Sequence, residues 1–503
     1  MDYSQLFKTL PYRHQLREFE DNWQEKARAL IWQMRSGKSK AIIDLACRLW
    51  HELEIDGVLV VAPNNVHLNW GRRELVAHHW DSVPYRHFVW DSSKTSNVNY
   101  DISFEDFLTE QRQLTWYMIN CEGLGLDKAR KYLAKYIRSR RRILMVIDEV
   151  HEFRWPISKR YAGAMGVAHD RRIAYRRILS ANPIDNSPLH AFAEFNLLQK
   201  GALGFEEYKD FKARYGIEED IYVPGGFSKS GVKRSPRKTP AIVGYKNLDE
   251  LQAKIGQWSS LVLRSDIDDM PELLPGRVDF EMTRTQKDLH NALVRGTLAR
   301  LDGGEIIKPE EGGVLVIRLQ QIASGFVVDE DGGVHDIMPP EENPRMLALW
   351  GELRLAPGKA IIWCRFREDV VRVVKYLNSR LGKSGLAVDY YGGTSKRNRV
   401  KHEEGFRNDP HVKYLVGQYQ AGGQGLDFSA AEDIFWYSQT SDLLKRRQAD
   451  ERATKIGGRK IGLTDLVAEG SNDQKLLDDL AARLERADYL TGTGLRRYLE
   501  IIR

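Results

Sequence analysis

Cysteine is scarce in this chain of 503 residues, which carries three: Cys47, Cys121 and Cys364. They lie far apart, and no pair has metal-ligand spacing. This argues against a disulfide framework and a cysteine zinc site, and it fits a reducing compartment. Long apolar runs are also missing. None approaches the roughly 20 residues that cross a bilayer, so no membrane partner is expected. Met1-Asp2-Tyr3-Ser4-Gln5 lacks the basic start and apolar core of a secretory leader, so a cytoplasmic location is expected. No repeat recurs at solenoid period. Neither charge sign dominates. A formal net charge of +6 and a pI of about 8.9 permit a nucleic-acid partner without demanding one.

What is present is apolar and patterned. Hydrophobic residues make up 42% of the chain, enough for large cores, and the length allows two to four domains. Short apolar runs alternate with helical patterns in two regions, as parallel α/β sheets require. The first spans about residues 25 to 200. Its strand candidates include Ala29–Trp32, Val58–Val61, Ile143–Ile147 and Arg177–Leu179. The second spans about residues 340 to 470, with candidates at Ala360–Cys364, Tyr414–Val416 and Ile434–Tyr437. Between them, Pro224 through Pro240 is rich in Gly, Ser, Pro and Lys and reads as a loop or disordered insert. Residues 245 to 300 read as helical, interrupted by Pro271 and Pro275. The tail from Asp473 reads as an amphipathic helix, with Leu476, Leu477, Leu480 and Leu484 as its buried stripe.

Two motifs carry chemistry. Met34-Arg35-Ser36-Gly37-Lys38-Ser39 reads as a nucleotide phosphate loop. Gly37 lets the backbone approach phosphate, Lys38 reaches the outer phosphates, and the Ser39 hydroxyl ligates magnesium. The helix beginning near Ser39 would aim its N-terminal amides at the same anion. Far downstream, the apolar run Ile143–Ile147 ends in Asp148-Glu149-Val150-His151. In phosphoryl-transfer sites of this type the first carboxylate holds magnesium and the second positions the attacking water. Either motif alone is weak. Together, in this order and each after a strand-like run, they predict a site that hydrolyses ATP with Mg²⁺.

Basic charge is clustered. Eight basic residues and no acidic ones lie between Lys128 and Arg142, and a second basic stretch runs from Lys229 to Lys246. Each is a candidate for sequence-independent phosphate contact; the alternative is a solvated helix face and a floppy loop.

The ordered set of motifs resembles the Swi/Snf-type branch of the superfamily-two helicases, from about Leu10 to Leu480. Gln15 resembles that family's adenine-reading glutamine. Val58 to Pro63, followed by Asn65 and Asn69-Trp70, resembles a motif that faces the nucleic-acid backbone, with Trp70 itself reading as a packing residue. Ser180-Ala181-Asn182 resembles the motif that couples hydrolysis to lobe movement. The family usually has Gly and Thr at the last two positions, and His151 belongs to the same coupling set. Leu263-Arg264-Ser265 and Leu273-Leu274-Pro275 resemble the linker into the second lobe. In that lobe, Arg365, Gly393-Thr394, Gln420 and Gly422 resemble backbone-contacting positions, and Gly425 and Asp427 belong to a turn beside the nucleotide. Gln448-Ala449-Asp450-Glu451-Arg452-Ala453-Thr454-Lys455 resembles the last motif, which reaches the γ-phosphate. Lys455 stands where the family usually has arginine and lacks its bidentate fork. Arg35 stands where the family loop usually has glycine.

The resemblance implies an α/β fold of two RecA-like parallel-sheet lobes in tandem, with helical insertions and a C-terminal brace helix. The expected division is 1–200 for the ATP-binding lobe, 201–280 for a helical insertion, basic loop and linker, 281–472 for the second lobe, and 473–503 for the brace. It implies a motor that hydrolyses ATP and translocates on double-stranded DNA, with single-stranded DNA or RNA as weaker candidates for the track. Two alternatives accompany it: a strand-separating or branch-migrating helicase, and a degenerate motor serving as a DNA-binding scaffold. The compact size suggests a bacterial or phage-encoded chain.

Overall fold

The computed structural model describes residues 6–181, 187–223, 226–227, 233–234, 237–267, 269–302, 309–329, 331–356, 358–382, 385–420 and 428–481. The apolar runs named above become the middle strands of two separate parallel sheets. The first has seven strands in the order Ser259–Val262, Ala27–Trp32, Ile173–Ser180, Ile143–Asp148, Gly57–Ala62, Leu114–Asn120 and Tyr85–Val89. The second has six, in the order Leu273–Phe280, Ile461–Ala468, Asp433–Trp436, Ala360–Cys364, Tyr414–Gln418 and Ala387–Tyr390. Every pairing in both sheets is parallel. The fold is thus the expected α/β pair of parallel-sheet lobes.

Runs without polar alternation form these strands because both sheet faces are covered. In Ile143–Asp148, Ile143, Met145 and Ile147 enter one core while Leu144 and Val146 enter the core on the opposite face. In the second sheet, Ala360, Ile362 and Cys364 face one core and Ile361 and Trp363 the other. Fully burying each Val, Ile, Leu or Met side chain among these contributes about 1.5–3 kcal/mol.

Two expectations about the middle of the chain need correction. The segment expected to be a loop flanks an antiparallel ribbon, Gly216–Val223 paired with Arg237–Tyr245, and includes a short hairpin of Gly226–Phe227 with Lys233–Arg234. β-branched and aromatic residues such as Ile217, Thr239, Val243 and Tyr245 favour this pleat, and Ile242 and Tyr245 pack against the first core. Pro240 is tolerated because a two-stranded ribbon leaves alternate backbone groups unpaired. The stretch expected to be helical holds the helices Leu248–Trp258 and Arg284–Asp302, as expected, but between them lies one edge strand of each sheet, Ser259–Val262 and Leu273–Phe280. Pro275 sits in an edge strand, where its missing N–H costs least. The passage between the sheets falls between Val262 and Leu273, where Leu263-Arg264-Ser265 was expected to lead into the second lobe.

The C-terminal helix begins at Asp473 and is described to residue 481. Leu476 is buried, whereas Leu477 and Leu480 are half-buried; Leu484 lies outside the described residues. Asp473 is anchored to the second lobe by a buried ion pair with Arg345 at 2.6 Å, and Arg345 also donates to the Tyr437 carbonyl at 2.7 Å. Breaking such a buried pair costs about 3–5 kcal/mol. Among the described residues, no helix is long and apolar enough to cross a membrane.

Candidate functional site

The phosphate loop joins the strand Ala27–Trp32 to the helix Lys38–His51. Two of its residues are left-handed, Arg35 at φ 63° and Gly37 at φ 79°. Gly37 has no room for a side chain: a Cβ there would lie 2.2 Å from Gln15 Nε2. Gln15 holds the loop from behind. Its amide donates to the carbonyls of Ser36 (3.0 Å) and Gly37 (3.1 Å), while its Oε1 accepts from the Tyr12 N–H at 2.8 Å. His14 Nε2 also donates to the Ser36 carbonyl, at 2.8 Å. Lys38 folds back and donates to the carbonyls of Trp32 (2.9 Å) and Gln33 (3.3 Å). Burial pulls its pKa down, opposed by the negative charges of Glu149, Asp148 and Glu451.

The acidic pair sits at the C-terminal end of Ile143–Asp148, two strands from the loop's strand. Asp148 is buried and accepts from Trp70 Nε1 at 3.0 Å. Burial first, and then the neighbouring Glu149, push its carboxyl up to about 6. Glu149 turns out of the strand through a left-handed conformation, φ 54°. Burial is the largest influence on it and raises its pKa, but His151, with Nδ1 3.3 Å from Glu149 Oε2, and Lys38 together hold it below its ordinary value. His151 and Ser180 are both buried, Ser180 at the end of the adjoining strand.

The second lobe completes the site with the end of the helix Leu443–Asp450 and the residues just after it. A cleft of about 320 Å³ brings together Met34, Arg35, Gly37, Lys38 and Ser39 from the loop, Asp148 and Glu149 from the strand end, and Gln448 and Arg452 from the second lobe. Burial lowers the Arg452 pKa to about 10. Cross-lobe hydrogen bonds close the cleft: Gln33 Nε2 donates to Glu451 Oε1 at 2.8 Å, and Arg35 Nη2 donates to the Arg452 carbonyl at 3.3 Å.

Several candidates lie elsewhere. Gln15 does not line the cleft, because both ends of its amide are taken up by the loop and by Tyr12. Ser36 is likewise buried inside the loop. Lys455 is exposed and lines a separate cavity of about 330 Å³ with Glu432 and Arg459. The chain turns after Thr454, whose N–H donates to the Glu451 carbonyl at 3.2 Å, and Lys455 does not line the cleft. Asn182, Gly422, Gly425 and Asp427 lie outside the described residues.

Sequence reasoning overlooked Glu74 and Glu451, both on the cleft wall. Burial and Asp148 raise the Glu74 carboxyl to about 6. Glu74 is one turn beyond Trp70, so the helical spacing of that motif could have revealed it. Glu451 stands inside the recognised string, immediately before Arg452. Trp70 is a packing residue, as expected, but its indole N–H also binds Asp148.

The candidate nucleic-acid residues share a location. Pro63 and Asn65 follow the strand Gly57–Ala62, Arg365 follows Ala360–Cys364, Gly393 and Thr394 follow Ala387–Tyr390, and Gln420 follows Tyr414–Gln418. These are C-terminal strand ends, where open α/β sheets build ligand sites. Asn65, Gly393 and Gln420 are exposed. Arg365 is half-buried and pairs with Gln320 Oε1. The Thr394 side chain is turned inward, its hydroxyl donating to Asp389 Oδ1 at 2.9 Å, so its hydroxyl is not presented to a ligand. Among the described residues, no group of three or more His, Cys, Asp and Glu could cage a metal by itself.

A family model described as the SNF2-related domain matches residues 13–302, and one described as the helicase conserved C-terminal domain matches residues 345–457. Among curated proteins, the chain is 22% identical over 370 residues to the TATA-binding protein-associated factor mot1 of Aspergillus fumigatus, covering 66% of this chain and 19% of the relative. It is 26% identical over 194 residues to the DNA repair protein rad8 of Schizosaccharomyces pombe, covering 35% of this chain and 16% of the relative. The chain thus spans less than a fifth of the length of these relatives. Among solved structures, it is similar to the Sulfolobus solfataricus SWI2/SNF2 ATPase core in complex with dsDNA, with 19% identity, 97% and 95% of the two chains covered, and a TM-score of 0.39.

Proposed function

We propose a function from one premise: the chain belongs to the SNF2-related domain family, with a helicase C-terminal domain behind it. On this reading it is a motor that hydrolyses ATP and translocates on double-stranded DNA through mainly backbone contacts. The observation that carries the reading is the convergence of the phosphate loop, the acidic pair and Arg452 from the other lobe on one cleft.

Lys38 and the loop amides bind the outer phosphates. Glu149, oriented by His151, holds the attacking water. Gln448 and Arg452 supply hydrogen bonding and positive charge from the second lobe, so closure of the lobes completes the site. Asp148 and the Ser39 hydroxyl would hold Mg²⁺. The fit is good, because a buried carboxyl pushed up to about 6 beside a second carboxylate favours an added cation. Magnesium bound with substrate phosphates needs only one or two protein carboxylates, and its charge neutralises the phosphate oxygens. Ser180, with Asn182, couples this chemistry to lobe movement. DNA would run past Pro63, Asn65, Arg365, Gly393 and Gln420, giving low sequence preference and strong salt dependence. The curated relatives include a DNA repair protein, which supports DNA as the track.

The test is steady-state ATP hydrolysis by wild type and Lys38→Ala, alone and with duplex DNA, single-stranded DNA or RNA. Duplex-stimulated turnover that vanishes in the variant is expected. Tight DNA binding without turnover on any nucleic acid would favour a degenerate scaffold instead.

A second reading is strand separation, for which the antiparallel ribbon of Gly216–Val223 and Arg237–Tyr245 is the candidate wedge. Displacement of one strand from a duplex with an overhang distinguishes it from translocation alone.

A further inference from the structure

Three elements meet on the Glu451 carboxylate, which is 5% exposed. Its Oε1 accepts from Gln33 Nε2 of the phosphate loop at 2.8 Å and from Arg264 Nη1 at 2.7 Å. Its Oε2 accepts from the Thr454 hydroxyl at 2.8 Å, within its own turn. Arg264 lies in the passage between the sheets, just after the first-sheet strand Ser259–Val262 and before the second-sheet strand Leu273–Phe280. One carboxylate on the cleft wall therefore ties together the loop, the second lobe and the connection between the lobes.

Its charge is opposite to that of Lys38 and the same as that of a nucleotide's phosphates. Gln33 is doubly engaged, with its side chain on Glu451 and its carbonyl receiving Lys38. A triphosphate that draws Lys38 away from the Gln33 carbonyl also brings negative charge toward Glu451, and only Arg264 is ion-paired with that carboxylate among the described residues. Like charges held close in a partly buried site repel strongly. Nucleotide binding and the present geometry of the Glu451 carboxylate are therefore in opposition.

We propose that Glu451 is a positioning residue that senses nucleotide phosphate and relays its arrival to the interlobe connection through Arg264. The proposal rests on the nucleotide reading of the cleft. With phosphate bound, the carboxylate loosens its hold on Gln33, and its ion pair with Arg264 becomes the contact that moves with the second lobe. Arg264 shields phosphate from Glu451, so removing the two partners has opposite consequences. Loss of the Glu451 charge removes a repulsion, and loss of the Arg264 charge exposes one.

The experiment is equilibrium titration of a fluorescent ATP analogue into wild type, Lys38→Ala, Glu451→Gln, Arg264→Gln and the Glu451→Gln/Arg264→Gln double variant, with thermal melts alongside. The expected result is binding tightened about fivefold or more by Glu451→Gln, weakened by a comparable factor by Arg264→Gln, and nearer wild type in the double variant. Two groups that merely hold the fold together would weaken binding when either is lost. Shifts in the same direction, or both within about twofold of wild type, overturn the proposal. If wild type shows no saturable binding, or binds no better than Lys38→Ala, the nucleotide reading itself falls and takes the proposal with it.

Discussion

Trp70 donates its indole N–H to Asp148 Oδ2 at 3.0 Å, so a core tryptophan favours the charged form of a carboxylate on the cleft wall. Burial and Glu149 raise the Asp148 pKa, while Trp70 and Lys38 lower it. Trp70→Phe removes the donor while leaving an aromatic ring in the core, at the cost of some packing volume. A hydrogen bond to a charged group is worth about 1.5–3 kcal/mol, so the acidic pair should titrate about one unit higher or more. ATP binding measured against pH should show its acidic limb displaced upward, while the basic limb stays in place.

Gly37 and Gln15 form a second testable pair. Gly37→Ala meets both a left-handed backbone, costing about 1–2 kcal/mol, and the Gln15 amide. Nucleotide affinity should fall sharply. Adding Gln15→Ala relieves the contact but not the backbone strain, so the double variant should recover part of the affinity, and titration of both variants measures that part.

Arg452 and Lys455 separate by position. Arg452 lines the cleft and Lys455 does not. Arg452→Ala should lower kcat by about 10³ or more, as loss of an arginine finger does in other phosphoryl-transfer enzymes. Lys455→Ala should cost far less. Equal losses would mean that the lobes rotate during turnover and bring Lys455 into the cleft.

Asp450 gives a pH signature of stability. It is buried, accepts from Trp436 Nε1 at 2.8 Å, and burial pushes its carboxyl up to about 7. A folded pKa above the unfolded value means a penalty that is fully present above about pH 7 and is relieved as pH falls toward the ordinary carboxylate range. Asp450→Asn removes that penalty. Its melting temperature relative to wild type should therefore rise between about pH 5.5 and about pH 8, by the equivalent of a few kcal/mol. A difference that does not change with pH would show that Arg446 already compensates the charge.

Much of the fold was legible because it depends on local pattern. Ile143–Ile147 and Ala360–Cys364 are short and apolar at every position, which suits a strand covered on both faces. Met34–Ser39 and Asp148-Glu149 stood out because phosphate chemistry would need particular residues at short spacing, and the structure brings both to one cleft. The ribbon was less legible, since Gly, Pro and Lys near its turn masked the β-branched residues of its strands.

What the sequence by itself determined was several of the most apolar strands and the family that the ordered motifs imply. Tertiary structure alone decided which side chains meet. Gln15 spends its amide on the loop, Lys455 turns away while its neighbour Arg452 turns in, and Glu451 reaches Gln33 across 418 residues of chain. Periodicity specifies which face of an element is buried. It does not specify where two lobes dock, and a hydrogen bond of about 3 Å depends on that docking to a fraction of an ångström.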